Sequence, residues 1–261
     1  MSPTECAIDE FLSKVEAAGE SALLLDYDGT LAPLVEDRYT AAPYPDVVPL
    51  LRSLMKCSRT RLVIVSGRPV SEVLTLLHLP VSPEVWGCHG LERLQVDGSL
   101  STGKLDKRSE QCIDEALQWA REQELERRIE RKSGGIALHW RGMDPRSVQH
   151  ISELALSALT PLTRESRLCL HEFDGGLELR LRSCNKGHVV DQILRETDGA
   201  PVAYLGDDST DEDAFRALQG NGLSVLVRPE FRSTAADIWL RPPEELVGFL
   251  MMWLAACGGA E

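Results

Sequence analysis

Short apolar runs rich in β-forming residues alternate with helical patterns along the chain, and this alternation limits the possible folds most. The apolar runs cover 22–28, 61–67, 84–90, 202–208 and 223–228, and the helical patterns cover 46–57, 70–79, 187–197 and 211–220. Strands that are apolar along their whole length are buried in a parallel sheet with helices on both faces. The sequence therefore predicts a doubly wound, Rossmann-like α/β core.

The middle third of the chain has a different pattern, in which two helices alternate with two pairs of short strands. The helices are expected near 109–127 and 145–160, and the strand pairs in 129–141 and 167–182, with turns at Gly134 and Gly135 and at Asp174, Gly175 and Gly176. The last strand alternates apolar and charged residues, which suits a sheet exposed on one face. We expect a small α+β domain, 107–181, inserted into a core formed by 1–106 and 182–261.

Composition and charge exclude several classes of protein. Hydrophobic residues make up 43% of the 261 residues, which is enough for a packed interior. The net charge of -13 and the lack of a long basic run argue against a nucleic-acid partner. The seven cysteines are scattered without metal-ligand spacing, so we expect reduced thiols. The first residues lack a signal-peptide pattern and the apolar stretch 246–257 is too short to span a bilayer, so we expect no membrane and a cytoplasmic location.

Acidic, hydroxyl and glycine residues stand where several of the predicted strands end. The strand ends carry, in chain order, Asp26 and Asp28, then Ser66, Gly67 and Arg68, and then Asp207 and Asp208. In an open parallel sheet, ligands bind beyond the carboxyl ends of the strands. Because side chains two residues apart on a strand share a side, Asp26 and Asp28 are expected to reach one substrate together.

The acids at these strand ends predict a bound cation. The acids at 26 and 28 and the run at 207, 208, 211 and 213 would repel one another in a dry crevice unless a cation neutralised them. Carboxylate oxygens without His or Cys nearby suit Mg²⁺. A calcium loop in DDSTDED is excluded, because its sixth position lacks Gly and its twelfth lacks Glu.

Other residues of the motifs are suited to hold a phosphate group. They are the Ser66 hydroxyl, the Gly67 amide and Lys186, which stands just before a predicted helix. Phosphate favours helix N-termini, where amides are unpaired and the helix dipole is positive. A carboxylate nucleophile, a divalent ion and a fixed lysine are what attack on phosphorus requires. We therefore expect one aspartate of the first strand to attack, and its neighbour two residues on to handle the proton.

The motifs DYDGT, SGR, NKG and GDDSTDE, in this order, resemble those of the haloacid dehalogenase superfamily of phosphatases. Within that superfamily, LDYDGTLAP, SGRP, GCHGLE, ELRLRSCNKG and GDDSTDEDAF resemble the trehalose-6-phosphate phosphatase family. The resemblance covers the whole chain. It implies a Mg²⁺-dependent enzyme that removes phosphate from trehalose 6-phosphate through an aspartyl-phosphate intermediate, with an inserted cap domain that closes over the sugar.

The resemblance also implies a role for each motif residue. Asp26 is the implied nucleophile, and Asp28 is the implied general acid and then general base. Ser66 and Lys186 are implied to hold the phosphate. The implied Mg²⁺ ligands are Asp26, the backbone carbonyl of Asp28 and Asp207, with Asp208 and Asp211 as direct ligands, water-mediated ligands or supports.

Further residues are candidates for binding the substrate. Gly67 and Arg68 belong to the phosphate motif, and bracing of that motif is the alternative for Arg68. The remaining candidates are His89 and Glu92, which follow a core strand, and Lys132, Arg141 and Glu178, which lie on predicted strands of the inserted domain. Sugar hydroxyls need several convergent polar groups, which is why these side chains are expected to face one crevice.

Two alternative functions remain open from the sequence. One is a phosphomutase or a phosphatase of another sugar phosphate, such as mannosyl-3-phosphoglycerate, since the core motifs do not set the leaving group. The other is a non-enzymatic phospho-acceptor receiver module, which would leave little need for Asp28 or for the inserted domain. The expected partner is a small sugar phosphate, together with a trehalose-6-phosphate synthase of the same pathway.

Overall fold

The computed structural model describes residues 3–173 and 175–258. The chain divides into two compact units, one formed by Met1–Leu100 and Asn185–Glu261 and the other by Ser101–Cys184. The second unit extends a few residues beyond both ends of the range 107–181. Among the described helices, none combines the length and the apolar character that a membrane crossing needs.

The elements of the described chain follow in order. They are α1 (Pro3–Ala17), β1 (Ser21–Asp26), α2 (Val47–Leu54), β2 (Thr60–Val65), α3 (Val70–Leu77), β3 (Glu84–Gly87), β4 (Glu92–Leu94), β5 (Leu100–Thr102), α4 (Lys107–Glu122), β6 (Ile129–Lys132), β7 (Gly135–His139), α5 (Pro145–Arg164), β8 (Leu168–Phe173), β9 (Gly176–Leu181), α6 (Lys186–Glu196), β10 (Val202–Gly206), α7 (Glu212–Leu218), β11 (Leu223–Val227), β12 (Ile238–Leu240) and α8 (Glu244–Ala256).

The first unit is built on an eight-stranded sheet with the order β12-β11-β10-β1-β2-β3-β4-β5, in which the edge strand β5 runs on into the residues of the second unit. The strands from β12 to β3 are parallel, and β4 pairs antiparallel with β3. Strand order runs outward in both directions from β1, through β2 on one side and β10 on the other. Because ligands bind where the strand order reverses, the carboxyl end of β1 is the expected site.

The apolar pattern of β1 explains its central position. All six of its residues are buried. Leu23 and Leu25 belong to one apolar core, whereas Ala22 and Leu24 belong to a second core that includes residues of α6 and α7. The strand therefore buries both of its faces, as the sequence predicts for a parallel strand between two helical layers.

The second unit is a four-stranded antiparallel sheet, in the order β6-β7-β9-β8, with helices α4 and α5. Gly135 and Gly176 belong to strands and not to turns, which corrects the expectation from the sequence. A Cβ on Gly135 would lie 2.1 Å from the Leu179 carbonyl oxygen, so glycine allows this close strand contact. Asp174, expected in the second turn, lies outside the described residues.

The exposure expected for one face of this sheet is also wrong for β9. All six residues of β9 are buried, including the charged Glu178 and Arg180. β9 is a central strand between β7 and β8, and its charged side chains are paired. Alternation predicted which side chains share a face, but it could not show that this polar face is also covered.

Candidate active site

Asp26 ends β1 and lies among buried charged groups. Its carboxylate accepts a hydrogen bond from the Lys186 Nζ at 2.6 Å, and Lys186 donates another to Asp211 at 2.7 Å. One carboxylate oxygen from each of Asp26, Asp207 and Asp211 lies within 4.8 Å of the other two. We call these three acids and Lys186 the Asp26 cluster. The sequence predicted all four members, and the fold brings them together at the switch point of the sheet.

Lys186 reaches the cluster because it is the first residue of α6. The side chain of Asn185 caps this helix by accepting a hydrogen bond from the His188 amide at 2.9 Å. A Cβ on Gly187 would lie 2.7 Å from the Asp213 carbonyl oxygen, so the start of α6 packs closely against α7. The NKG motif therefore fixes the helix start and the position of the lysine together.

Asp211 is held entirely by donors of the protein. Its Oδ1 accepts from Lys186 and from the Tyr204 hydroxyl, and its Oδ2 accepts from the amides of Asp207 at 3.1 Å and Asp208 at 3.0 Å. It is completely buried. With both oxygens engaged, Asp211 fits a supporting group better than a direct metal ligand. Tyr204 was not identified from the sequence, because a tyrosine within an apolar strand reads as core.

The Asp26 cluster contains more acidic than basic groups, and burial disfavours the charged form of the acids. Burial raises the pKa of Asp26 well above its usual value, with Lys186 opposing the rise and Asp211 adding to it. Burial likewise raises the pKa of Asp207, and the charges of Asp26, Asp211 and Asp208 add to the effect. Burial lowers the pKa of Lys186, but the two aspartates raise it by more, so the lysine stays charged. One ammonium among three carboxylates leaves a demand for further positive charge.

The backbone after Asp28 completes a setting that fits a small cation. Gly29 has a φ of +80°, and a Cβ there would lie 2.0 Å from the Asp207 Oδ2. A side chain at this position would therefore occupy the space beside the Asp207 carboxylate. The atoms that could coordinate an ion here are carboxylate oxygens, and oxygen ligands are the kind that Mg²⁺ prefers. The carboxylates of Asp26 and Asp207 are thus suited to hold such an ion.

Asp28 lies in a turn and not on the strand, which corrects the predicted extent of β1. The Tyr27 carbonyl accepts hydrogen bonds from the amides of Leu31 and Ala32 and closes this turn. The Asp28 carboxylate is one-third exposed and is bound through both oxygens by Arg68, at 2.7 Å from Nε and 2.6 Å from Nη2. In this structure the Arg68 side chain therefore holds Asp28, which belongs to a different motif from its own.

The other residues of the SGR and GCHGLE motifs pack together. Ser66 is fully buried, and its Oγ accepts a hydrogen bond from the Arg68 amide at 3.1 Å. A Cβ on Gly67 would lie 2.7 Å from the His89 ring, so the imidazole covers this glycine. Glu92 accepts a hydrogen bond from the Val70 amide at the start of α3, at 2.9 Å. In this structure Glu92 therefore stabilises the N-terminus of α3 through this hydrogen bond.

The side chain of Asp208 has a local role. Its Oδ1 accepts from the Ser209 amide at 2.7 Å, and it caps the short 3₁₀ turn Ser209–Asp211. Among the described residues, the three acids that could share an ion are Asp26, Asp207 and Asp211. The carboxylates of Asp28 and Asp208 are not in that group.

Two of the three candidates in the second unit come together. The Lys132 Nζ donates to Glu178 at 2.8 Å, and the Arg180 Nη1 donates to the other oxygen of Glu178 at 3.4 Å. We call these three residues the Glu178 cluster. Their side chains are at most 10% exposed. Arg180 was missed from the sequence, although it lies two residues after Glu178 on the same face of β9.

Arg141 is not part of the Glu178 cluster. It lies in the turn after β7, beside Gly175, whereas Lys132 pairs with Gly135 at the opposite end of that strand. β7 ends at His139, because the chain then enters a turn in which the Met143 amide donates to the Trp140 carbonyl at 3.1 Å. The prediction that Arg141 lies on a strand is therefore wrong.

Comparison with known proteins places the chain in a family. The model of the family described as trehalose-phosphatase matches residues 24–237, a range that includes all four residues of the Asp26 cluster. The chain belongs to this family. A trehalose-phosphate phosphatase of Mycobacterium ulcerans is 30% identical over 246 residues, which cover 87% of this chain and 60% of the relative. The chain thus spans about 60% of the length of that relative.

Solved structures share the fold over nearly the whole chain. A trehalose-6-phosphate phosphatase of Aspergillus fumigatus is 26% identical, with a TM-score of 0.70 and coverage of 95% of this chain and 97% of the other. The C-terminal domain of a Candida albicans trehalose-6-phosphate phosphatase is 21% identical, with a TM-score of 0.80 and coverage of 97% of both chains. The resemblance to the trehalose-6-phosphate phosphatase family is confirmed, and so is the predicted doubly wound core with an inserted α+β domain.

Proposed function

We propose that the protein is a Mg²⁺-dependent phosphatase that hydrolyses trehalose 6-phosphate to trehalose and inorganic phosphate. The observation that carries the proposal is the contact of Lys186 with Asp26 inside a group of buried carboxylates at the switch point of the sheet. The trehalose-phosphatase family supports the choice of sugar. A receiver module would give no reason for the inserted domain or for Asp28.

Asp26 is the proposed nucleophile. One oxygen of its carboxylate attacks phosphorus, a bond forms between them, and the bond from phosphorus to the sugar oxygen breaks. The product is an aspartyl phosphate, which water then hydrolyses to free Asp26 and inorganic phosphate. Lys186 holds one Asp26 oxygen at 2.6 Å and so fixes the direction of the carboxylate.

Asp28 is the proposed acid and base of the two steps. It gives a proton to the departing sugar oxygen, and then takes a proton from the water that attacks the aspartyl phosphate. In this structure Arg68 binds both Asp28 oxygens. Asp28 can carry a proton only after this pair has opened, so we expect substrate binding to loosen it.

The remaining core groups are proposed to bind the phosphate and the metal. Ser66, the Gly67 amide and Lys186 would donate to the phosphate oxygens. Mg²⁺, held by Asp26, the Asp28 carbonyl and Asp207, would supply positive charge to the phosphate and to the attacking carboxylate. Asp211 would then hold the backbone of Asp207 through the hydrogen bond that it accepts from the Asp207 amide, and Asp208 would cap the turn that carries Asp211.

The Glu178 cluster is proposed to bind the sugar, with the inserted domain acting as the cap. Support comes from the buried Arg180 Nε, which has no hydrogen-bond partner among the described residues. A buried donor without an acceptor costs free energy, and a sugar hydroxyl would satisfy it. We retain His89 as a candidate beside Gly67, while Glu92 and Arg141 have weaker support.

The reaction also suggests a setting for the protein. Trehalose 6-phosphate is made by a synthase, so we propose that the protein acts directly after such an enzyme. We propose a cytoplasmic location, where a phosphorylated sugar of this kind would be available.

The proposal is tested by trapping the intermediate. The protein is mixed with trehalose 6-phosphate and Mg²⁺, quenched in acid and analysed by mass spectrometry. We expect phosphate on the peptide that contains Asp26, and no phosphate when EDTA has removed the metal. Phosphate on another residue would refute the role of Asp26, and full activity after exhaustive EDTA treatment would refute the metal requirement.

A further inference from the structure

The loop between β11 and β12 is hydrogen-bonded to the backbone carbonyls of Asp207 and Asp208. This loop covers residues 228–237. Arg232 within it makes the two shorter hydrogen bonds, and the Arg228 Nη1 adds a longer one to the Asp207 carbonyl at 3.4 Å. The Arg232 Nε donates to the Asp207 carbonyl at 3.2 Å, and its Nη2 donates to the Asp208 carbonyl at 2.8 Å. The guanidinium thus spans two successive carbonyl groups at the site, as its planar fork allows.

Glu212 holds Arg232 in this position. Its carboxylate accepts from the Arg232 Nη1, from the Thr234 hydroxyl at 2.8 Å and from the Ala235 amide at 2.9 Å. Burial would raise the pKa of Glu212, but these hydrogen bonds outweigh it and the pKa is lowered. The negative charge of Glu212 balances the guanidinium. The effect of Arg232 on Asp207 is therefore mainly geometric.

The backbone of Asp207 is clamped from its other side as well. The amides of Asp207 and Asp208 donate to the Asp211 Oδ2, at 3.1 Å and 3.0 Å. Asp207 thus has its amide held by Asp211 and its carbonyl held by Arg232. A rotation of this backbone would move the Asp207 carboxylate away from the space beside Gly29.

We propose that Arg232 and Glu212 are positioning residues for the Mg²⁺ site, which keep the Asp207 carboxylate in its binding direction before the ion arrives. The inference rests on the proposed function, because it takes Asp207 as a ligand. Mg²⁺ demands nearly ideal octahedral geometry, so a displaced ligand weakens binding. Groups that orient metal ligands change metal affinity or activity by roughly 10–100-fold when they are lost.

The test compares Arg232→Gln with a matched control, Arg216→Gln. Arg216 also lies within 3.9 Å of Glu212, but it is 59% exposed and its described hydrogen bond goes to Asp213. Mg²⁺ binding to the full chain is measured by titration calorimetry without substrate, and phosphate release is measured against Mg²⁺ concentration. Thermal unfolding without metal reports whether each variant is folded.

We expect Arg232→Gln to weaken Mg²⁺ binding by about tenfold or more, with kcat at saturating Mg²⁺ much less affected. Arg232→Lys should be intermediate, because an ammonium lacks the planar fork that spans both carbonyls. Arg216→Gln should bind Mg²⁺ like the wild type. If Arg232→Gln does not fold, Glu212→Gln takes its place with the same expectation.

Two results would overturn the inference, and they differ in what else they overturn. If the wild type binds Mg²⁺ and the folded variants at Arg232 or Glu212 bind it equally well, the positioning role alone is wrong. If the wild type binds no Mg²⁺, the metal site of the proposed function is wrong, and the positioning role falls with it.

Discussion

The Asp26 cluster and the Glu178 cluster are both buried groups of charged side chains on a sheet, but their charge balance is opposite. The Asp26 cluster has three carboxylates around one ammonium. The Glu178 cluster has one carboxylate between an ammonium and a guanidinium. The first has an excess of acceptors and suits a cation, whereas the second has an excess of donors and suits sugar hydroxyls. Under the proposed function, this difference would place the chemistry in the core and the recognition of the sugar in the inserted domain.

The sharpest way to break this comparison is to remove the proposed nucleophile. Asp26→Asn should lower kcat by about 10⁴-fold or more for every phosphate ester, because an amide cannot form an acyl phosphate. The loss should be equal for trehalose 6-phosphate and for an aryl phosphate, and circular dichroism should show an intact fold. A variant that keeps even a tenth of the wild-type turnover would exclude Asp26 as the nucleophile.

A second change separates proton transfer from attack within the core. Asp28→Asn should slow the reaction by roughly 10²–10⁴-fold with a sugar phosphate, whose leaving group needs a proton. An activated aryl phosphate leaves without one, so its first step should be slowed much less. The measurement is single-turnover release of the alcohol from both substrates. Equal slowing of the two releases would contradict the acid role.

The inserted domain should show the opposite behaviour, with an effect that depends on the sugar. Glu178→Ala should lower kcat/KM for trehalose 6-phosphate by a factor that corresponds to roughly 1–3 kcal/mol of lost transition-state stabilisation. The kcat/KM for a small aryl phosphate should be nearly unchanged. Glu172→Ala is the matched control, because Glu172 is exposed on the neighbouring strand β8. If the ratio of the two kcat/KM values is the same in both variants, the Glu178 cluster does not bind the sugar.

A third charged group, around Glu196, should have the smallest effect when it is changed. It is partly exposed, and it is proposed neither to bind the metal ion nor to bind the sugar. Hydrogen bonds from Arg93, and also from Gln192 and Arg61, lower the pKa of Glu196 from 4.5 to about 2. Partial burial alone would raise the pKa of Glu196. Its stabilisation is therefore complete above about pH 4.5 and is lost as the pH falls towards 2. Glu196→Gln should lower the free energy of unfolding by up to about 1 kcal/mol at neutral pH, because solvent screens such pairs.

Denaturant titrations at several pH values check this prediction. The stability gap between the wild type and Glu196→Gln should narrow as the medium becomes more acidic, and catalysis at neutral pH should be unchanged. A gap that stays constant down to pH 3 would show that Glu196 is not stabilised by these ion pairs.

The core site was predictable because one rule of topology locates it. Parallel strands present their carboxyl ends at one edge, so the motif residues Asp26 and Asp207 could be expected together before any coordinates existed. Tyr204 and Arg232 could not be found in that way. A buried tyrosine hydroxyl resembles any core residue, and Arg232 reaches the site through a loop whose path no local pattern specifies.

The inserted domain was predictable only in outline. Alternation along β9 indicates that Glu178 and Arg180 share a face. The register aligns Lys132 with Arg180, and from there its side chain reaches Glu178 diagonally across β7. The same reasoning carried the strand too far and put Arg141 on it. Strand ends depend on where the chain turns, here through the hydrogen bond from the Met143 amide to the Trp140 carbonyl, which the sequence does not reveal.

The most direct test of the account is the rate of phosphate release from a panel of phosphate esters in the presence of Mg²⁺. The panel contains trehalose 6-phosphate, glucose 6-phosphate, mannosyl-3-phosphoglycerate and an aryl phosphate. We predict that kcat/KM is highest for trehalose 6-phosphate and that this preference over glucose 6-phosphate shrinks in Glu178→Ala. A wild-type protein that hydrolyses glucose 6-phosphate or mannosyl-3-phosphoglycerate at least as well would contradict the proposed substrate, and release from none of the four would contradict the proposed function.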